Sequence, residues 1–284
     1  MSVARERKNT GDVFHCKDYE FPLGTRTYIM GILNVTPDSF SDGGKYQEPE
    51  AAVERAWQMV EEGADIIDIG GESTRPGFIP LDGETESRRL VPVVERLAHD
   101  LKVPISIDTT KAVVAKRALE AGAHLINDIW GLQRDPDLAQ VSAAFDAGVI
   151  LMHNSDRCSY QDLMGDIIIF LCKSLEIAQG AGIKRENIAL DPGIGFGKDL
   201  AQNLETLRRL QELRALGLPI LLGTSRKSLV GKVLNLPVHD RVEGTAATVA
   251  LGIAYGADFV RVHDVQAMKR VAVMTDAVVR GNLP

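Results

Sequence analysis

The chain has 284 residues, 45% of them hydrophobic and 25% charged, which is a soluble composition with enough apolar material for one large domain. Its formal net charge of −7 argues against a general nucleic-acid binder or an anionic-membrane binder, so an anionic ligand must be met by local cations. The three cysteines, Cys16, Cys158 and Cys172, lack metal-ligand or CxxC spacing and read as reduced thiols of a cytoplasmic protein. The first residues carry no apolar signal core, and the longest apolar run, Ile167–Cys172, is far too short to cross a bilayer.

Taken in chain order, Val13–Thr27 has turn signals at Lys17–Asp18 and Pro22–Leu23–Gly24 and is expected to form a hairpin. A strand over Tyr28–Val35 follows. Pro49–Glu62 then reads as a helix with Ala52, Ala56, Met59 and Val60 on one face. Further strands are expected at Asp65–Ile69, Ile105–Ile107, His124–Ile129, Val149–Met152, Ile188–Leu190, Ile220–Leu222 and Phe259–Val262. They are apolar on both faces, as buried parallel strands are. Between them, Lys111–Glu120 is a helix that Thr109–Thr110 can cap. Leu200–Leu216 reads as one helix, with Leu204, Leu207, Leu210 and Leu213 at three-residue steps and Gly217 at its end. Three helices close in similar phrases, EEGADIID, LEAGAHLIND and AYGADFVRV, each with a Gly just before the next strand. Eight strands alternating with helices in an undivided chain predict an α/β fold, a (β/α)₈ TIM barrel. The domain reading is a single domain over 1–284, with tail and hairpin in 1–27 closing the bottom and the barrel in 28–284.

In such a barrel the chemistry sits at the C-terminal ends of the strands. Those ends carry Asn34, Asp68, Asp108, Asn127–Asp128, Met152–His153–Asn154, Asp191, Gly223–Ser228 and Arg261–Asp264. One polar strand end is as readily a turn former as a functional group, but eight converging on one rim are hard to explain by turns. Arg75, Lys227, Arg261 and His263 form a cationic set suited to a phosphate or carboxylate. Arg261 and His263, two residues apart, share a face of the last strand. Ser225–Ser228 is expected to open a helix whose free N–H groups, with Lys227, favour an anion. Gly193-Ile194-Gly195-Phe196-Gly197 misses the GxGxxG spacing and there is no Walker A sequence, which sets nucleotide binding aside. His15, His99, His124 and His239 are scattered and make no metal cluster.

The motifs MGILNVTPDSFSDGG (Met30–Gly44), DIGGESTRPG (Asp68–Gly77), SIDTTK (Ser106–Lys111), IND (Ile126–Asp128), DPGIGFGK (Asp191–Lys198), GTSRKS (Gly223–Ser228) and RVHDV (Arg261–Val265) resemble, in order, the signatures of the dihydropteroate synthase family. The departure from the family's pattern is His153-Asn154-Ser155-Asp156, which leaves Asn154 and the following loop without a role. The resemblance implies a transferase of folate biosynthesis joining a dihydropterin-methyl diphosphate to 4-aminobenzoate, with Mg2+ as cofactor, sulfonamides as inhibitors and a homodimer formed through C-terminal helices. By the same resemblance Asp108, Asn127, Met152, Asp191, Phe196 and Lys227 hold the pterin. Asn34, Thr74, Arg75, Arg261 and His263 hold the diphosphate, with Asn34 on the metal. Phe40, Pro76, Lys227 and Ser228 hold the aminobenzoate. Asp108, Lys227, Arg261 and His263 are the catalytic set. Two rival readings remain at this point. A folate-dependent methyltransferase barrel would keep Asp191 and Asn127 without needing Arg261, His263 or the NVTPDSFSDGG loop. A non-catalytic pterin-binding relative would have lost Asn34, Arg261 or His263.

Overall fold

Alternation along the strands is what turns this sequence into a site. The computed structural model describes residues 12–35, 48–72 and 81–281. It opens with an antiparallel hairpin of β1 (Val13–Cys16) and β2 (Tyr19–Pro22). Eight parallel strands follow among the described residues: β3 (Tyr28–Asn34), β4 (Ile66–Gly70), β5 (Ile105–Asp108), β6 (Leu125–Asp128), β7 (Gly148–Met152), β8 (Ile188–Asp191), β9 (Leu221–Leu222) and β10 (Phe259–Val262). The helices between and after them are α1 (Glu48–Glu61), α2 (Gly83–Asp100), α3 (Ala112–Glu120), α4 (Asp137–Ala144), α5 (Leu163–Gly180), α6 (Leu200–Arg208), α7 (Ser228–Leu234), α8 (Val242–Ala254) and α9 (Val265–Arg280). The strand order is β8-β7-β6-β5-β4-β3-β10-β9, and a bridge between Leu190 and Ile220 joins the two ends into a barrel. β9 is short because Pro219 has no N–H to give, and the N–H of Ile220 goes to the Asp258 side chain at 3.1 Å.

Side chains two apart share a face. Tyr28, Met30, Ile66, Leu125, Ile150, Ala189, Leu221 and Phe259 turn inward at the lower ends of the strands, where they pack with Phe14, Cys16 and Phe21 of the hairpin. The Phe14 and Phe21 rings stand edge-on to Phe259 at 5.3 and 5.7 Å, so the hairpin plugs the bottom of the barrel as expected. One or two steps further up the same inward rows come Asn34, Asp68, Asp108, Asn127, Met152, Asp191, Gly223 and Arg261. Ladder partners such as Asp68–Ser106, Asp108–Asn127 and Met152–Asp191 confirm the shared face. The outward rows, Ile29, Ile67, Ile69, Ile107, Val149 and Val260 among them, bury against the helices in the larger core.

Two local expectations are corrected. Leu200–Leu216 is not one helix: Arg209 leaves the helical region, and Leu210–Leu216 continues as a 3-10 helix that Gly217 ends at φ 64°. Leucines spaced by three residues line up in a helix of three residues per turn, so the spacing itself favoured the tighter form. Thr109 and Thr110 do not cap α3 either. Its N-cap is Lys111 without a side-chain cap bond, and the N–H of Ala112 is taken by Asp135 Oδ2 at 2.7 Å.

Candidate active site

β4, β5, β6 and β10 bring a guanidinium between two carboxylates at the floor of the site. Arg261 Nε donates to Asp68 Oδ2 at 2.6 Å, and Nη2 donates to Asp108 Oδ2 at 2.7 Å. Asn127 Nδ2 donates to the same Asp68 oxygen at 3.1 Å. Asp68 is fully buried, so its charge depends on these donors. Burial lifts the Asp108 carboxyl to about 7; Arg261 opposes the rise and Asp68 adds to it. For Arg261, burial works against the charge, but Asp68 and Asp108 outweigh it and hold the guanidinium more firmly protonated than usual. The sequence marks Asp68 as a polar strand end but gives it no role in the site. Its inward register with Ile66 was the available signal.

β8 and the loop after β9 build a slot beside this floor. Asp191 Oδ1 accepts the Gly193 N–H at 2.7 Å, and burial raises its carboxyl while Lys227 opposes the rise. A side chain on Gly223 would come within 3.6 Å of Lys227 Nζ, 3.8 Å of Arg261 Cβ and 4.0 Å of Asp191 Oδ2. The side chains of Lys227, Arg261 and Asp191 thus converge on the bare backbone of Gly223. Lys227 donates to the Ile194 carbonyl and lies 4.7 Å from the centre of the Phe196 ring. Burial pulls its ammonium down to about 8, against the support of Asp191. Met152 is buried beside Asp191 across the β7–β8 ladder.

The third part lies between β3 and β10. A cavity of about 250 Å³ is lined by Ile32, Leu33, Asn34, Arg55, Met59, Arg226, His263 and Asp264. Ser225 Oγ accepts the His263 backbone N–H at 3.1 Å and lies 3.0 Å from His263 Nδ1. A hydroxyl has one proton and two lone pairs, so Ser225 Oγ can meet either tautomer of the His263 ring. Burial, then Arg261 and Arg226, push His263 down to about 4. The Arg261 guanidinium itself turns to Asp68 and Asp108. Arg226 adopts φ 55° and pairs with Asp264, donating from Nε at 2.9 Å.

Asn34 lies at the exposed end of β3. A side chain on Gly70 would come 3.8 Å from Asn34 Oδ1 and 3.9 Å from Asp108 Oδ2, so both oxygens look onto the same glycine. Ser228 is the exposed first residue of α7, a helix of only seven residues. Phe40, Thr74, Arg75 and Pro76 lie outside the described residues. The structure thus gathers Asn34, Asp108, Asn127, Met152, Asp191, Phe196, Lys227, Arg261 and His263 around one barrel mouth.

Residues 30–263 match the family described as pterin binding enzyme. A dihydropteroate synthase of Clostridium beijerinckii is 56% identical over 262 residues, which is 92% of this chain and 97% of that protein. The crystal structure of dihydropteroate synthase from Clostridium difficile in the presence of pteroic acid has a TM-score of 0.90 and 55% identity, covering 92% of this chain and 99% of that one. The Xanthomonas albilineans dihydropteroate synthase with 4-aminobenzoic acid has a TM-score of 0.90 and 40% identity, covering 96% of this chain and 99% of that one. On the barrel, the polar inward rim and these relatives together, the chain belongs to the pterin-binding enzymes and, within them, to the dihydropteroate synthases, transferases of alkyl and aryl groups other than methyl.

Proposed function

We propose that the barrel mouth binds (7,8-dihydropterin-6-yl)methyl diphosphate and transfers its pterin-methyl group to 4-aminobenzoate, releasing 7,8-dihydropteroate and pyrophosphate in the cytoplasm for folate biosynthesis. The observation that carries this reading is the convergence of Asp191 and Lys227 beside Gly223, with the Phe196 ring against Lys227 and the Asp68–Arg261–Asp108 floor alongside. A pterin edge presents adjacent N–H donors, and a carboxylate such as Asp191 can accept two of them side by side. Asn127 completes that edge, Lys227 donates to the ring carbonyl, and Met152 and Phe196 wall the ring.

The transfer breaks the methylene–oxygen bond and forms a carbon–nitrogen bond; the proton of the resulting arylammonium leaves to solvent. An arylamine is neutral at pH 7, so the site needs no base to make the nucleophile. What must be stabilised is charge separation, and we assign Arg261, His263, Thr74 and Arg75 to the departing diphosphate. Asp108, desolvated next to Arg261, stabilises a pterin-methyl centre that becomes cationic. We assign Phe40, Pro76, Lys227 and Ser228 to the aminobenzoate on the family resemblance. The same subsite would take a sulfonamide, which also couples an aryl amine to an acidic group.

Mg2+ fits the donor set. Among the described residues no three His, Cys, Asp or Glu side chains converge on a metal. Mg2+ commonly keeps its waters and takes few protein ligands besides phosphate oxygens. Asn34 Oδ1, across Gly70 from Asp108, would hold it, and the ion would neutralise charge on the leaving pyrophosphate. A homodimer through α8 and α9 is supported by their exposed apolar side chains Leu251, Val273, Met274, Val278 and Val279. No helix among the described residues is long and apolar enough to cross a membrane.

The direct test is pyrophosphate release from the pterin diphosphate on adding aminobenzoate. Release that depends on both substrates is expected; release without aminobenzoate would make the chain a hydrolase instead. A pH profile tests Lys227. Its ammonium carries three donors and its neutral amine two. As pH rises through about 8 the charged fraction falls, so pterin affinity should weaken. Lys227→Arg keeps the charge throughout this range and should flatten that limb in calorimetric titrations; an unaltered limb would detach Lys227 from the pterin.

A further inference from the structure

The segment after β7 packs against the loop after β8, and neither His153 nor Lys198 has a place in the transfer derived above. Lys198 is only 8% exposed and His153 only 3%. Lys198 Nζ lies 2.8 Å from His153 Nδ1, 3.1 Å from the Gly193 carbonyl and 3.2 Å from the Phe196 carbonyl. An ammonium has three protons to donate, and here three acceptors meet them. His153 must then accept at Nδ1 and be neutral, in keeping with burial and the Lys198 charge driving its basicity down to about 3.

The contacts around this pair tie the two loops along their length. The His153 N–H donates to the Asp191 carbonyl at 2.9 Å, and the Tyr160 hydroxyl donates to the Gly197 carbonyl at 2.6 Å. Gly193 has φ 70°, and a side chain there would come within 1.8 Å of the His153 carbonyl oxygen. The backbones therefore touch at a point where only glycine fits. At one end of the tied loop stands the Asp191 carboxylate, which accepts the Gly193 N–H; at the other stands the Phe196 ring.

We propose that Lys198 and His153 are positioning residues for the pterin pocket, fixing the loop after β8 so that the Asp191 carboxylate and the Phe196 ring stand at the separation a flat bicyclic ring requires. This rests on the reading that Asp191 and Phe196 hold the pterin. Lys198 reaches the ligand only through the Gly193 and Phe196 carbonyls. A lysine suits the task better than an amide, because no amide nitrogen offers three donors from one atom. Burial pulls this ammonium down to about 7, and Lys227 adds to the pull, while Asp191 on β8 and Cys158 on the neighbouring loop oppose it. Asp191 thus helps to keep charged the residue that holds it in place.

The test compares Lys198→Met, His153→Leu, His153→Asn and Asp191→Asn by steady-state kinetics and by calorimetry of pterin binding, with thermal melts to verify folding. Lys198→Met and His153→Leu should raise KM for the pterin diphosphate about tenfold or more and move KM for aminobenzoate less than about threefold. His153→Asn retains an acceptor near the Nδ1 position and should recover most of the loss. Wild-type pterin affinity in folded Lys198→Met, with affinity lost in Asp191→Asn, overturns the positioning role and leaves the pterin reading intact. No loss in Asp191→Asn overturns that reading and this inference together. If Lys198→Met does not fold, equal defects in His153→Leu and His153→Asn overturn the role, and recovery in His153→Asn sustains it.

Discussion

Arg261→Leu is expected to destabilise the fold and to abolish most of the activity. Among the described residues, the substitution leaves Asp68, fully buried, with Asn127 as its side-chain donor, and takes from Asp108 the cation bonded to it. Removing one member of a buried ion pair commonly costs about 3–5 kcal/mol. For a domain of this size that lowers Tm by roughly 5–10 °C. The sign with pH follows from Asp108. Its carboxyl already stands at about 7, above its unfolded value, because of burial that Arg261 partly offsets. A carboxyl raised in the folded state binds more protons there than in the unfolded chain, so its contribution to stability falls as pH rises through this window. Without Arg261 the rise is larger, so the loss of Tm should be deeper at pH 8 than at pH 6. Activity should fall roughly 100-fold or more, because a charge that meets the leaving group is gone. Melting curves at the two pH values and single-turnover rates measure both effects. A Tm equal to wild type at pH 8 would show that the two ion pairs bear no net load.

Asp191→Asn should remove pterin binding without unfolding the protein. The amide oxygen can still accept the Gly193 N–H, which the carboxylate accepts at 2.7 Å. Its NH₂ then stands where the second oxygen faced the ligand, so donor meets donor. Losing a charged hydrogen bond costs about 1.5–3 kcal/mol, and the opposed donors add to it, so affinity should fall at least about tenfold. Lys227 should respond as well. Asp191 is the main charge supporting its ammonium, so the variant's pH limb should shift to lower pH than in wild type. Calorimetry with a dihydropterin across pH 6–9 reads affinity and limb together. Unchanged affinity in the folded variant would remove Asp191 from the pterin site.

The barrel was legible in the sequence because each strand is a short β-branched run between helical patterns, and burial on both faces demands that composition. The hairpin was legible from its turn residues, and Lys17 does adopt φ 50° at its tip. The convergence of Asn34, Asp108, Asn127, Asp191, Lys227, Arg261 and His263 was legible too, because polar residues close strands whose lower inward positions are apolar. Helix termini were read less well. The cap of α3 comes from Asp135, 23 residues away, and no local pattern contains it.

Local sequence alone therefore determined the order of elements, the inward face of each strand and the kind of chemistry at the rim, since period and composition act within a few residues. Pairing between side chains was decided by the tertiary structure. Arg261 meets Asp68 across 193 positions and Asp108 across 153, and that contact opposes the rise that burial imposes on Asp108. His263 is held below the usual histidine range by burial and by Arg261 and Arg226. Lys198 reaches His153 from 45 residues away. Charge state and hydrogen-bond direction depend on burial and on partners brought together by barrel closure, and neither is a property of the residue or of its neighbours in the chain.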